Sequence, residues 1–394
     1  MNISLKTERT AHAFLELLSL RGVDYFFANA GTDFASIVEA FAWRSEHMKD
    51  RPCPIAIPHE IPLVGMAQGY YLATGRPQAV MVHVNVGTAN SLGGLMSARS
   101  ARTPILFFAG RTPITEEGSR ASRTGHIHWG QESFDQAGPV REYVKWDYEL
   151  RIPSQLETVV DRALTIAMTD PKGPVYISMP REVLYSPMED VAFQAQPRYD
   201  LPTFHPDPSK VEEAADILVR ARFPLIITSA IGSSPEGVRS LVDLAETGAI
   251  GVVPFNPEFM NFPVNHPSHL GFIPAPFFEL ADAILVVDCD VPWFPNISKP
   301  QESAKIIQAG IDPFCSTFPI RGFPSDLTLQ GDPTRIIAEI AGAVAKHPDR
   351  RADVLEARRE KLGGMHDEIV KGWREAALNG AKSTPLSMDW VSYN

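Results

Sequence analysis

Helical and β-rich patterns alternate regularly over residues 8 to about 180, and this alternation constrains the fold more than any other feature. In the helical segments apolar residues recur every three or four positions, whereas the runs between them are short, apolar and rich in β-branched and aromatic residues. Strands that alternate with helices form a parallel sheet with helices on both faces. The expected elements, beginning with a helix and alternating with strands, are 11–20, 25–28, 34–47, 55–57, 61–73, 79–84, 89–101 and 105–109.

A second region repeats this pattern after a joint that is rich in proline. We expect a first domain at residues 1–186, a linker at 187–209 and a second domain at 210–347, followed by a charged, amphipathic helical segment at 348–394. The predicted fold class is therefore α/β, with two three-layer α/β/α domains that have mainly parallel sheets. Ligands of such open sheets bind beyond the carboxyl ends of the strands, where the strand order reverses.

Composition argues against several classes of protein. The formal net charge is −11 and no extended run of Lys or Arg occurs, so no nucleic acid and no anionic membrane surface is expected as a partner. The three cysteines, Cys53, Cys289 and Cys315, show no CxxC spacing, so neither a disulfide framework nor a thiolate zinc site is indicated. The N-terminus lacks a signal-peptide core, and every apolar run stops well short of the ~18 residues of a spanning helix. We therefore expect a cytoplasmic protein without a membrane role.

The segment of residues 57–90 carries the strongest candidate for chemistry. Pro58-His59-Glu60 opens an apolar helix, and the strand after that helix leads into a turn at Gly87-Thr88-Ala89-Asn90. Gly31 and Gly87 each follow a predicted strand, where the backbone must turn tightly. A carboxylate at a helix N-terminus beside such turns could hold a cofactor ring.

Several further motifs follow one another in a specific order along the chain. They are Ala67 to Gly75, Gln131-Glu132, Val144-Lys145-Trp146, Gly173-Pro174-Val175-Tyr176-Ile177 and Pro180-Arg181. Together with residues 57–90, this order resembles that of the thiamine-diphosphate (ThDP) enzymes of the acetolactate synthase and 2-oxo-acid decarboxylase superfamily. The resemblance covers residues 8 to 390, and it is strongest before residue 185. It implies that the first domain is the pyrimidine-binding domain and that a central domain follows it.

The resemblance gives Glu60 the role of activating the cofactor. A ring nitrogen of the aminopyrimidine is a poor proton acceptor unless a buried carboxyl group lies beside it, so a single glutamate is sufficient for this step. The alternative is that Glu60 is only a first-turn acid, which the helix dipole favours by ~0.3–1 kcal/mol. The substrate class implied by the resemblance is a 2-oxo acid.

Other residues are assigned to the cofactor or the substrate by their position in the family pattern. Val86 and Asn90 correspond to the turn that touches the aminopyrimidine, although an ordinary strand-to-helix turn is an equally good interpretation. Gly31 and Thr32 take the place of a loop that borders the substrate pocket, and the alternative is a plain connection between strand and helix. Gln131 aligns with a glutamine near the active site, whereas its default interpretation is an exposed loop residue.

Two histidines in one segment raise the question of a metal site, which the sequence does not favour. His126 and His128 would point the same way on a strand, but no third ligand is evident, so we predict no metal site on these residues. His59 could donate a hydrogen bond to substrate or cap the helix that begins beside it. Residues 229–232 of the central region lack a complete GxGxxG pattern, so FAD is not expected.

The residues that would bind the diphosphate group are not evident in the sequence. The family binds Mg²⁺ through a Gly-Asp-Gly motif and paired asparagines, whereas the only Gly-Asp here is Gly331-Asp332-Pro333. A diphosphate needs a metal or a basic cradle, so we expect ThDP and Mg²⁺ to require a diphosphate-binding domain that is absent from this chain. A homo-oligomer, either dimer or tetramer, or a partner chain carrying that domain is the expected assembly.

Three functional hypotheses are compatible with these patterns. The first is a ThDP-dependent lyase or transferase that decarboxylates a 2-oxo acid or ligates its product to a second carbonyl compound. The second is a non-catalytic, dimerising subunit that keeps the scaffold. The third is a protein that binds an adenine nucleotide through its central domain.

Overall fold

Residues 2–47, 50–197 and 200–393 are described by the computed structural model of the chain. Its contacts divide the chain into two units, residues 1–202 and 203–394. Each unit contains a parallel sheet with helices, and the last two helices, α12 (Ala352–Gly380) and α13 (Met388–Tyr393), end the second unit. The predicted α/β class is thereby confirmed. The predicted linker, 187–209, includes residues 198 and 199, which lie outside the described part.

The first unit is built on a six-stranded parallel sheet in the order β3-β2-β4-β5-β7-β6. A separate antiparallel pair joins β1 to β8. The strands are β1 (Asn2–Leu5), β2 (Tyr25–Asn29), β3 (Cys53–Ala56), β4 (Ala79–Val82), β5 (Leu106–Arg111), β6 (Asp147–Glu149), β7 (Val175–Pro180) and β8 (Val191–Gln194). The helices are α1 (Thr10–Leu20), α2 (Ala35–Glu46), α3 (Glu60–Thr74), α4 (Val84–Asn90), α5 (Leu92–Ser100), α6 (Ile127–Gly130), α7 (Leu156–Met168) and α8 (Arg181–Tyr185).

Both faces of this sheet are covered by apolar side chains. On one face the rings of Phe14 and Phe108 meet edge to face, with centroids 4.9 Å apart. On the other face Leu63 and Val64 of α3 pack against strand residues such as Phe107. Burial on both faces explains why the strands are continuous apolar runs rather than alternating patterns.

The strand order reverses between β2 and β4. The chain passes from β2 outward to β3, and it then returns to place β4 on the opposite side of β2. A crevice forms at such a reversal, beyond the carboxyl ends of the two strands. The loops after β2 and β4 therefore border the position where a ligand is expected.

One predicted part of this unit is wrong, namely the turn at Gly87 to Asn90. The strand expected at 79–84 ends at Val82, and the helix expected at 89–101 is two helices, α4 and α5, with Gly87 inside α4. The sequence of α4 is rich in β-branched residues, which are typical of strands, so tertiary contacts override local propensity. A Cβ at position 87 would lie 2.8 Å from Val82 Cβ, so glycine lets this helix pack closely on the strand. The other predicted elements of residues 11–109 agree with the structure within two residues.

The second unit contains a five-stranded parallel sheet in the order β10-β9-β11-β12-β13. Leu362 of α12 belongs to the apolar cluster on one face, and buried Arg358 of the same helix donates to the carbonyl oxygen of Gly248 at 2.9 Å. None of the described helices is both long enough and apolar enough to span a bilayer. The strands are β9 (Pro224–Thr228), β10 (Gly251–Pro254), β11 (Ala283–Val287), β12 (Lys305–Gly310) and β13 (Leu327–Gln330), and the helices are α9 (Pro208–Arg220), α10 (Pro235–Gly248), α11 (Pro333–Lys346), α12 (Ala352–Gly380) and α13 (Met388–Tyr393).

Candidate functional site

Glu60 lies at the carboxyl edge of the first sheet, as the first residue of α3. Its side chain is withdrawn from solvent, since the residue is only 5% exposed. The Asn90 side-chain amide donates to Glu60 Oε2 at 3.4 Å, so the structure brings these two predicted residues together. Neighbouring His59 accepts the Ile61 amide proton on Nδ1 at 3.2 Å, which is the capping role considered for it.

The other predicted cofactor and substrate residues lie near this edge, but they do not bond to Glu60. Val86 is 48% exposed on α4, and Thr32 is exposed at the start of a short 3₁₀ turn, Thr32–Phe34. Among the described residues, neither makes a hydrogen bond to Glu60. Gly31 lies against the ring of His83, where a Cβ would overlap the imidazole. The contacts of these residues with cofactor or substrate stay predictions.

Asp33 and His83 form a pair that the sequence did not reveal. Asp33 follows β2 and His83 follows β4, so the strand reversal brings together residues that are 50 positions apart. His83 Nδ1 lies 2.5 Å from Asp33 Oδ1, and the Asp33 residue is 2% exposed. The hydrogen bond to Asp33 raises the pKa of His83, burial lowers it, and the charge of Asp33, the side chain of Gln131 and the charge of Glu60 add to the rise.

Backbone strain follows directly after His83. Val84 has a φ of +34°, in the left-handed region that a β-branched residue rarely adopts. Its amide donates to Asp33 Oδ2 at 3.3 Å, and α4 begins at this residue. Strain of this kind costs ~1–3 kcal/mol and clusters at functional sites. A histidine that ends a buried strand at a strand reversal is the one signal by which sequence analysis could have found this position.

Gln131 belongs to a loop whose position is set by the adjacent Glu132. Glu132 accepts hydrogen bonds from Arg111 Nη2 at 3.0 Å, from Arg123 Nη2 at 2.5 Å and from Thr112 Oγ1 at 2.6 Å. Burial by itself would raise the pKa of Glu132, but the hydrogen bond from Thr112 and the charges of Arg111 and Arg123 lower it. The adjacent Gln131 lies close enough to His83 for its side chain to raise the pKa of His83.

Two buried amide oxygens at this edge have no hydrogen-bond partner among the described residues. They are Asn85 Oδ1, whose Nδ2 donates to Ser133 Oγ at 3.0 Å, and Gln131 Oε1, which influences the pKa of His83 without reaching full hydrogen-bonding geometry. A buried polar atom without a partner is costly, so each indicates a donor supplied by a ligand or by water. Acceptors beside a buried carboxyl group fit an aminopyrimidine, which presents an exocyclic amine and a basic ring nitrogen.

His126 and His128 do not form a metal site with a third residue. His126 immediately precedes α6 and His128 lies within it, so neither is on a strand. The prediction that the two side chains point the same way is therefore wrong. No group of three or more His, Cys, Asp or Glu side chains in the described ranges is placed to hold a metal ion. His128 is buried and its Nδ1 accepts the Thr124 amide proton at 3.1 Å. Burial, followed by the charges of Arg181 and Arg123, lowers the pKa of His128.

Comparison with known proteins gives consistent matches. Residues 8–138 match a family model described as thiamine pyrophosphate enzyme, N-terminal TPP binding domain. Benzoylformate decarboxylase of Pseudomonas aeruginosa is 26% identical over 320 residues, which cover 77% of this chain and 57% of that enzyme. Sulfoacetaldehyde acetyltransferase of Rhodobacter capsulatus is 28% identical over 262 residues, which cover 66% of this chain and 41% of that enzyme.

A solved structure shows the same fold. Benzoylformate decarboxylase from Polynucleobacter necessarius matches with a TM-score of 0.67 and 22% identity, over 85% of this chain and 61% of that chain. The matches thus span about two fifths to three fifths of the length of these relatives. At this identity the structural match establishes the fold, and activity has to be argued from the residues of the site.

Proposed function

We propose that this chain, which belongs to the ThDP-dependent enzyme superfamily, supplies the pyrimidine-binding part of a cytoplasmic enzyme that acts on a 2-oxo acid. The reaction class is decarboxylation, carboligation of the decarboxylated fragment, or both. The observation that carries the proposal is the burial of the Glu60 carboxyl group, held by Asn90 at the edge where the strand order reverses. A first-turn acid that served only the helix dipole would have no reason to be withdrawn from solvent.

Glu60 is the residue that would share a proton with the ring nitrogen of a bound aminopyrimidine. When bound, ThDP supplies an electron sink for the electron pair left by departing carbon dioxide. Asn90 orients the Glu60 carboxyl group, and the orphan oxygens of Asn85 and Gln131 are available to accept from bound donors. The fit of the aminopyrimidine therefore depends on Glu60 of α3, on Asn85 and Asn90 of α4, and on Gln131, which follows α6.

His83 is the proposed proton carrier on the substrate side. Its Nδ1 is committed to Asp33, which leaves Nε2 for the substrate. The raised pKa favours the protonated form of the ring, which suits proton donation. Gly31 and Thr32 border the same space and are the proposed substrate contacts.

We assign Mg²⁺ and the diphosphate group to a diphosphate-binding domain, carried by the same polypeptide or by a partner chain. The charge balance supports this, because a net charge of −11 disfavours an anionic group held without a metal. Flavin is not part of the proposal.

The function is tested by supplying the protein with a diphosphate-binding domain of the family and incubating the two with ThDP, Mg²⁺ and a panel of aliphatic and aromatic 2-oxo acids. We expect release of carbon dioxide that requires ThDP, together with an aldehyde or a 2-hydroxy ketone as product. Thiamine itself lacks the diphosphate, and its binding is measured by calorimetry as a second test. The control is oxythiamine, a pyrimidine antagonist in which oxygen replaces the exocyclic amine. The absence of both turnover and thiamine binding would refute the proposal.

An exposed apolar face supports the proposed oligomer. Ile61, Met66 and Leu72 lie on one side of α3 and are 40–48% exposed, while Leu63 and Val64 on the opposite side pack against the sheet. Met96 of neighbouring α5 is 46% exposed. A cluster of exposed apolar side chains on adjacent helices is typical of a protein interface.

We expect the double substitution of Met66 and Leu72 by lysine to weaken self-association by about 10- to 100-fold, because it places two charges in a desolvated interface. Sedimentation equilibrium measures the dissociation constant of the wild type and the variant. Val38→Lys is the matched control, since Val38 is 59% exposed on α2. A wild-type protein that stays monomeric at micromolar concentration, or a variant that associates normally, would contradict the assignment of this face.

A further inference from the structure

We infer that Asp33 is a positioning residue that fixes the tautomer and orientation of the His83 ring. Its consequence for turnover rests on the proposed function, whereas the pairing itself does not. Asp33 would act through His83, without contact to the reacting atoms.

The geometry of Asp33 suits this role because both of its carboxylate oxygens are occupied. Oδ1 lies 2.5 Å from His83 Nδ1, and Oδ2 accepts the amide proton of Val84 at 3.3 Å. The two bonds reach a side chain and a backbone amide that are adjacent in sequence, so they fix the ring relative to its own main chain. A carboxylate accepts hydrogen bonds only, so His83 Nδ1 must carry a proton.

Two glycines confine the pair on opposite sides. A Cβ at Gly110, which is on β5, would overlap Asp33 Oδ2, and a Cβ at Gly31 would overlap the His83 ring. The carboxylate therefore lies directly on the backbone of one strand, and the imidazole lies directly on the loop after another. Neither group has room to move away from its partner in these directions, which is the packing expected of an oriented proton carrier.

The charged groups around His83 favour a protonated ring. Asp33 and Glu60 both raise the pKa of His83. His128, which interacts electrostatically with His83, would lower the pKa of His83 if it carried a positive charge. His128 has a lowered pKa and is neutral near pH 7, so it opposes this effect only weakly. With Nδ1 protonated on Asp33, Nε2 is the nitrogen that exchanges a proton with a ligand.

Asp33→Asn is the direct test, because asparagine has almost the same shape and fits the space beside Gly110. Correlation spectra of ring-¹⁵N-labelled histidine report the tautomer and the pKa of His83, whose signal is identified by its loss in His83→Gln. We expect the pKa of His83 to fall by at least about one unit and its neutral form to lose the preference for a proton on Nδ1. Asp135→Asn is the control, since Asp135 is an exposed carboxylate paired with Arg141.

Stability gives a second readout that needs no cofactor. The folded-state pKa of His83 is raised above 6.5, so the pair stabilises the protein fully below that pH and loses this contribution as pH rises through the folded value. We therefore expect the difference in unfolding temperature between wild type and Asp33→Asn to be largest at about pH 6 and to shrink above the folded-state pKa.

Gly110→Ala provides a variant that keeps the carboxylate but displaces it. The added methyl group takes the place of Asp33 Oδ2, so the histidine spectra should change as in Asp33→Asn, whereas Gly342→Ala, where space is open, should leave them unchanged. If turnover occurs, the part of its pH dependence between acidic and neutral pH should shift in both Asp33→Asn and Gly110→Ala. Unchanged His83 tautomer and pKa in folded Asp33→Asn overturn the inference. Altered spectra without ThDP-dependent turnover, when the wild type is supplied with a diphosphate-binding domain, support the pair and count against the proposed function alone.

Discussion

Replacing Glu60 by glutamine is expected to lower the ThDP-dependent turnover of the protein supplied with a diphosphate-binding domain by ~10²–10⁴-fold, the usual contribution of one general acid or base. Glutamine keeps the length of the side chain, and its carbonyl oxygen can still accept from Asn90. It cannot shuttle a proton to the ring nitrogen of a bound aminopyrimidine. The fold should be unaffected, because the first-turn position contributes only ~0.3–1 kcal/mol through the helix dipole.

Two measurements locate the defect in this variant. One is the rate at which the thiazolium proton of ThDP exchanges with deuterium in D₂O, and the other is carbon dioxide release from a 2-oxo acid. Both should fall together in Glu60→Gln. Glu236→Gln is the matched control, since Glu236 is also in the first turn of a helix but is 65% exposed on its side chain. Equal exchange rates in wild type and Glu60→Gln would show that Glu60 is only a structural acid.

The position of Glu60 could be predicted because its surroundings are local in sequence. The helix that begins there is predominantly apolar and is preceded by a residue that caps its N-terminus, and both features are contained within residues 59–74. The buried strands were likewise predictable, since a parallel sheet covered on both faces requires continuous apolar runs. Local patterns were therefore sufficient for the scaffold and for the place of Glu60 at the start of a helix.

The rest of the site depends on contacts between residues that are distant in sequence. Asp33 meets His83 only because β4 returns beside β2, and no local pattern records that return. The same contact sets the start of α4, since Val84 donates its amide to Asp33 while holding a φ of +34°. A β-branched residue with a positive φ, such as Val84, is disfavoured in a helix. The local sequence therefore predicts a strand and a turn for this segment.

Gln131 illustrates the same limit for a residue whose position was predicted. The adjacent residue, Glu132, is held by Arg111 and Arg123 from two other parts of the chain. Arg111 also pairs with Glu149 of β6. Such ion-pair networks join sequence positions that no motif connects, so the orientation of Gln131 could be known only from the fold.

A buried ion pair far from the site is expected to have the largest effect on stability. Arg21 Nε donates to Asp161 Oδ1 at 2.5 Å and Nη2 donates to Oδ2 at 3.0 Å, and both side chains are fully buried. This bidentate pair links the end of α1 to α7. Removing one partner of a buried pair leaves the other charge without adequate compensation, and this costs more than the pair contributed.

We expect Asp161→Ala to lower the free energy of unfolding by about 3–5 kcal/mol, the range for breaking a buried ion pair from one side. Glu157, 3.4 Å from Arg21 Nη2, reaches only one edge of the guanidinium and cannot replace the bidentate contact. Chemical denaturation measures the change, with Asp135→Ala as control, because its exposed pair with Arg141 should contribute no more than about 1 kcal/mol. A loss in Asp161→Ala as small as that in the control would mean that water or Glu157 compensates the Arg21 charge.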